Sequence, residues 1–180
     1  MKRQRIPVVI LLIALILLVC TGCVVETLVP EVTEGYFDIS VTYEINGEER
    51  TYQGRYVCNY LGVSTSVYGS SLLWEGYVEN TDKSTVVAIE NTYDGGVIYA
   101  DFGFYPEYLM SDPNYFGDTP RVYLYVEFVV DETAEFIIIN DEQEIFEKYG
   151  VKLISYYYDE PIKNSYETQW ILSEFDPSIN

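Results

Sequence analysis

Nineteen tyrosines in 180 residues, against 8 Phe and 2 Trp, are the side chains best suited to recognition chemistry in this chain. A tyrosine couples a large apolar ring to a polar hydroxyl. That suits a half-solvated sheet, and equally a binding surface that offers contact area at low entropic cost. Two groups stand out. Tyr105, Tyr108, Tyr115 and Phe116 fall in a connecting segment punctuated by Pro106, Pro113 and Pro120, and long connections in compact domains are commonly functional. Tyr156, Tyr157 and Tyr158 are consecutive in a strand-like stretch, so they project to both faces. At least one of them is then exposed unless both faces are covered. These seven residues form the candidate ligand surface, for an envelope protein, a peptide or a glycan.

Nucleophilic and metal chemistry find less support. The chain has no histidine, which removes the usual base of hydrolase dyads and triads and the commonest metal ligand. Cys58 sits in Tyr56-Val57-Cys58-Asn59-Tyr60 and reads as a buried, inert thiol. No glycine-rich phosphate loop, CxxC pair or nucleophile elbow occurs. Asp112, Asn114 and Asp118, with Gly117, partly follow a calcium-loop spacing. Phe116 then takes a ligand position and Tyr123 replaces the bidentate glutamate, which leaves a loose calcium site or an Asp-Pro-Asn turn. The 29 carboxylates keep a two-carboxylate hydrolase of envelope glycans open as an alternative, without nominating an acid and a base. No cofactor is expected, and the leading expectation is a non-catalytic binding module.

The N-terminus sets where this chemistry would take place. Lys2, Arg3 and Arg5 precede an apolar run from Ile6 to Val19, followed by Cys20-Thr21-Gly22-Cys23. That is the order of a signal peptide. Its Thr21-Gly22-Cys23 ending resembles the lipobox of bacterial lipoproteins, with Cys20 standing where that pattern prefers an aliphatic residue. The resemblance implies removal of residues 1–22, lipidation of Cys23 with a palmitate-type acyl chain, and a domain tethered to the membrane on its extracytoplasmic side. An uncleaved anchor extended to Val25 would leave the bulk of the chain on the same side. Loss of the leader removes three cations and moves the formal charge from −19 to −22. So acidic a chain is repelled by nucleic acid, which is excluded as a partner.

The elements that must position the tyrosines are mostly strands. Residues 23–35, with Pro30 at their centre, read as a lipidated end and tether, and residues 36–180 as one β-rich domain. From Tyr36 the hydrophobic period is two, and Asn46-Gly47 marks a two-residue turn. That turn pairs Ile45 with Glu48, Tyr43 with Arg50, Val41 with Tyr52, Ile39 with Gly54 and Phe37 with Tyr56. Asp38 meets Arg55 and Thr42 meets Thr51 on the opposite face. Further strands are predicted near 72–79, 85–93, 97–104, 121–130, 136–139, 151–158 and 166–175, with a second turn at Asp94-Gly95-Gly96.

One helix, over about 140–149, would be capped by Asn140, bury Ile145, Phe146 and Tyr149 together, and end at Gly150. It would serve as a parallel crossover or as a plug. The fold class is α+β and mainly β: an antiparallel sandwich or half-open barrel with one short helix. As a third possibility, its exposed aromatics would be buried in a larger envelope complex.

Overall fold

The computed structural model describes residues 24–66, 69–82, 84–129 and 136–172. The predicted lipid site, Cys23, lies outside them, as does the leader. Among the described residues, ten strands and two helices follow in order: β1 (Val24–Pro30), β2 (Glu34–Ile45), β3 (Glu48–Ser66), β4 (Gly69–Val78), β5 (Val86–Asn91), β6 (Val97–Phe102), α1 (Pro106–Leu109), β7 (Val122–Val129), β8 (Phe136–Ile139), α2 (Glu142–Tyr149), β9 (Val151–Tyr158) and β10 (Tyr166–Leu172). With 60% strand and 9% helix, the protein is mainly β, as its alternating pattern predicts.

The chain divides into two compact units. The smaller contains β1 and β10, which pair as a two-stranded sheet, together with residues 62–66 of β3 and 69–73 of β4. Within it, the Ser70 hydroxyl donates to the Glu26 carbonyl at 3.1 Å. The residues expected as a tether from Val24 are therefore largely a strand. Pro30 stands at the strand's end, where its missing N–H costs no ladder bond, and the valines before it favour extended backbone.

The larger unit is a sandwich. One sheet has the order β4-β3-β2-β9 and the other β5-β6-β7-β8. In the first, the β2–β3 register matches every predicted pair from Ile45 opposite Glu48 to Phe37 opposite Tyr56. The outer-face partners also meet: the Arg55 guanidinium lies 3.6 Å from Asp38, and the Thr42 and Thr51 hydroxyls are 3.0 Å apart. Asn46 (φ 53°) and Gly47 (φ 82°) both adopt the positive φ that a type I′ turn requires.

The inner faces of the two sheets bury Phe37, Ile39, Val41, Tyr43 and Tyr56 against Ile98, Ala100, Phe102, Leu124 and Val126 in one core. Cys58 is in that core, and burial pushes its thiol pKa up, with the Glu107 charge as a smaller cause. An uncharged, enclosed thiol is a poor nucleophile.

The helix α2 leaves β8 in one sheet and enters β9 in the other, so it links two sheets and is not a parallel crossover. Its cap is Asp141, one residue later than expected: the carboxylate accepts from the Glu144 N–H at 2.9 Å. Asn140 and Asp141 are comparable caps, and the register of the first turn decides between them. Gly150 ends the helix in the left-handed conformation (φ 63°). Ile145 and Tyr149 are buried, whereas Phe146 is exposed, contrary to the expectation that all three pack together. Among the described residues no helix is long and apolar enough to cross a membrane.

Candidate functional site

The segment from Tyr105 to Pro120 is not a continuous open loop. It begins with α1, whose Pro106 occupies the first turn, where a missing N–H is harmless. The Met110 N–H donates to the Pro106 carbonyl, and Leu109 and Met110 are fully buried beneath it. Two bonds then pin this turn to the chain beyond β9. The Ile162 N–H donates to the Leu109 carbonyl at 2.9 Å, and the Ser111 hydroxyl donates to the Ile162 carbonyl at 2.6 Å.

Asp112 holds the next bend. It is 7% exposed, and its two carboxylate oxygens accept from different donors. One accepts the Trp74 indole N–H at 3.1 Å and the other the Asn114 N–H at 2.8 Å. The Asp-Pro-Asn sequence thus forms a side-chain-closed turn. Its acid faces inward to an indole, and the described residues hold no group of three or more acidic or cysteine side chains that could hold a metal ion. Asn114 and Asp118 are exposed, and the Asp118 carbonyl accepts from the Tyr115 hydroxyl at 2.7 Å.

This scaffold brings five of the seven predicted surface residues together. The Tyr105 and Tyr115 ring centroids are 5.5 Å apart, Tyr115 and Tyr108 6.0 Å, and Tyr108 and Tyr158 6.5 Å. Tyr156 stacks on Tyr158 at 6.5 Å with 11° between planes. Because Tyr156 and Tyr158 are two apart in β9, they share one face, paired to Val41 and Ile39 of β2. The chain of rings continues inward: Tyr158 meets Phe104 at 5.1 Å, and Phe104 meets Tyr56 at 5.4 Å. Tyr56 is fully buried and donates its hydroxyl to the Phe104 carbonyl at 2.9 Å. An aromatic ladder therefore runs from the core to exposed Tyr105 and Tyr156.

Burial raises the hydroxyl pKa values of Tyr115 and Tyr158, and the Asp118 and Glu107 charges add a smaller push to Tyr115. Both hydroxyls stay protonated at neutral pH, which keeps the Tyr115 hydroxyl a donor to the Asp118 carbonyl. The remaining two predicted residues lie elsewhere. Tyr157 points to the opposite face of β9 and donates to the Asp159 carboxylate at 2.7 Å. Phe116, 92% exposed, stands outside the ring ladder.

Two open clefts lie in the larger unit, away from the ladder. One, of about 350 Å³, is lined by Asp38, Arg55, Glu79 and Thr81. The other, of about 530 Å³, is lined by Arg50, Glu90, Tyr93, Phe146, Lys148 and Tyr149. Arg55 pairs with Asp38 and Glu79, and Arg50 pairs with Glu90, while Glu147, which also lines the second cleft, accepts from the Gln143 side-chain amide. Beside the second cleft, Lys148 sits 5.0 Å over the Phe128 ring and 3.3 Å from Asp94.

No family model matches the chain, and no curated protein or solved structure matches it either.

Phe104, Trp74 and Ile162, which anchor the ladder and its turn, were not legible as site residues. Each acts through contacts across long sequence separations, which one-dimensional spacing does not carry.

Proposed function

We propose that this protein is a lipid-anchored extracytoplasmic module that binds an envelope partner without transforming it, through the tyrosine ladder of Tyr105, Tyr108, Tyr115, Tyr156 and Tyr158. The observation that carries this reading is their convergence. Residues from two segments some forty positions apart build one ring surface, rooted on the buried Phe104 and Tyr56 pair. Rigid aromatic contact area backed by a core is the usual physical basis of a binding hot spot. The lipidation at Cys23 rests on the leader's resemblance to a lipobox.

A binding role is favoured over the glycan hydrolase by the state of the acids. A general acid needs an uncompensated carboxyl in a concave site, with its pKa raised toward neutrality. In the two clefts Asp38, Glu79 and Glu90 pair with arginines, which leaves Glu147 as the one lining acid without a cation among the described residues, short of the two convergent free carboxylates such a hydrolase needs.

The test uses the intact tethered protein with a photo-crosslinking residue at Tyr105 or Tyr156, and at Tyr93 as an exposed control. A discrete adduct formed from positions 105 and 156 but not from 93 is the expected result. Equal labelling from all three positions would overturn the ladder as the binding surface. Separately, Cys23→Ser should abolish incorporation of labelled palmitate and leave the precursor mass unchanged.

A further inference from the structure

The sheet β5-β6-β7-β8 has a second face, turned away from the core, and its chemistry differs from that of the ladder. Strand alternation puts Tyr99 and Asp101 of β6 on this face together with Tyr123, Tyr125 and Glu127 of β7. Tyr99 and Tyr125 are directly opposite each other, with centroids 5.3 Å apart and planes inclined by 22°. Tyr123, 54% exposed, is opposite Asp101, and Glu127 is opposite Ile138 of β8. Two rings thus lie between the two carboxylates, and a third, Tyr123, stands beside Asp101.

Among the described residues neither acid is paired with a cation. Asp101 is half-buried and receives only a long bond, at 3.4 Å, from the Thr85 hydroxyl. No ion pair to Asp101 or Glu127 occurs among the described residues. Asp38, Glu79, Glu90 and Asp94, by contrast, each face an arginine or lysine. Burial raises the Asp101 pKa, and Glu127 and Asp101 both push up the Tyr125 hydroxyl after burial itself. The face is therefore an aromatic platform whose two carboxylates are paired with no cation among the described residues, and such a surface is complementary to a cation laid over the rings.

The spacing narrows the ligand further. Asp101 sits at the level of Tyr123, and Glu127 lies four residues along β7. At about 3.3 Å per residue this is roughly 13 Å, the separation of side chains i and i+4 on one side of an extended peptide. We propose that this face binds an extended basic peptide segment, with arginines four residues apart, so that one guanidinium meets Asp101, the other meets Glu127, and the chain between them crosses the tyrosine rings. A second copy of the protein is disfavoured as the occupant by the chain's own charge of −19.

The probe is a synthetic peptide containing Arg-Thr-Val-Thr-Arg, titrated against the full chain and compared with a composition-matched Arg-Val-Arg-Thr-Thr peptide. The i,i+4 peptide should bind several-fold more tightly. The double variant Asp101→Asn with Glu127→Gln, nearly isosteric and on the surface, should weaken it by roughly tenfold, from two half-exposed ion pairs. The control, Glu44→Gln with Glu49→Gln on the other sheet's outer face, removes the same charge and should leave binding within about twofold. Tyr125→Ala should weaken binding as well, with the sheet's circular dichroism retained. Equal affinity for both peptides, or equal losses in the face and control variants, would overturn the proposal, because overall acidity then explains the attraction. Preferential binding of a chitosan oligomer at this face, with the peptides silent, would overturn it in favour of a cationic glycan.

Discussion

The β2–β3 hairpin and the Tyr105–Pro120 segment reach order by opposite routes. The hairpin is specified locally. Two positive-φ residues close the turn, and every pair behind it follows from alternation. The Tyr105–Pro120 segment is specified from far away. Its bend is held by Trp74 from β4, its helical turn by Ile162 beyond β9, and its rings by Phe104 and Tyr158. A register can be counted along the sequence, whereas a surface gathered by distant partners cannot. The residue types in such a surface are visible beforehand, and their convergence is not.

Tyr56 belongs to both regions, so changing it should break the contrast most severely. Its ring fills the core from β3, and its hydroxyl satisfies the Phe104 carbonyl. Tyr56→Ala should cost about 3–5 kcal/mol in urea-induced unfolding, enough to threaten the fold. Tyr56→Phe keeps the packing and should cost about 1–2 kcal/mol through the unpaired carbonyl. A near-neutral phenylalanine variant would mean that water replaces the lost bond.

Asp112→Ala separates the two regions more cleanly. It leaves the part-buried indole N–H of Trp74 without its partner and opens the turn at Asn114, at a cost of about 1–3 kcal/mol. Amide exchange should accelerate across residues 105–118 while β2 and β3 keep their protection. Uniform acceleration would show that the segment and the hairpin form one cooperative unit. Gly47→Val tests the other side. The turn has open space around this residue, so no clash is expected and the penalty is backbone strain alone at φ 82°, roughly 1 kcal/mol or more. An unchanged melting temperature would mean that the turn relaxes to another type.

Most of the framework was legible, because its signals are short-range. Strand alternation located β2 and β4 through β10 to within a few residues, whereas β3 runs on to Ser66, well beyond the hairpin pairs that end at Tyr56, and Gly150 marked the helix end. The departures share one cause. Phe146 fits the apolar stripe of α2 as well as Ile145 does, yet only the neighbouring sheet decides which of them is covered. Val24–Pro30 has strand-forming residues but no alternation, and its partner β10 lies at the far end of the chain. Asp112 read as a loose calcium ligand or a turn residue, and only Trp74, 38 positions earlier, makes it a buried acceptor.

Asp101 gives the smallest and most discriminating effect, since it is the counterpart of Asp112 with the opposite sign. Asp112 is buried with both oxygens bonded, so removing it should destabilise. Asp101 is half-buried with no cation paired to it among the described residues, so its charge opposes folding, and burial holds its pKa above the ordinary 3.8. The folded state then binds this proton more tightly than the unfolded state does. Above the raised pKa the penalty is fully present, and as pH falls through that value toward 3.8 the proton is taken up and the penalty disappears. Asp101→Asn should therefore raise stability at neutral pH, by less than about 1 kcal/mol because the group is half in solvent. The advantage of the variant over the parent should shrink steadily as the solution is acidified. A gap that stays constant with pH would trace the gain to something other than charge. A loss of stability at neutral pH would mean that the Thr85 hydroxyl stabilises the carboxylate by more than burial costs it. The platform around Tyr125 would then carry a compensated charge, with less to attract a cation.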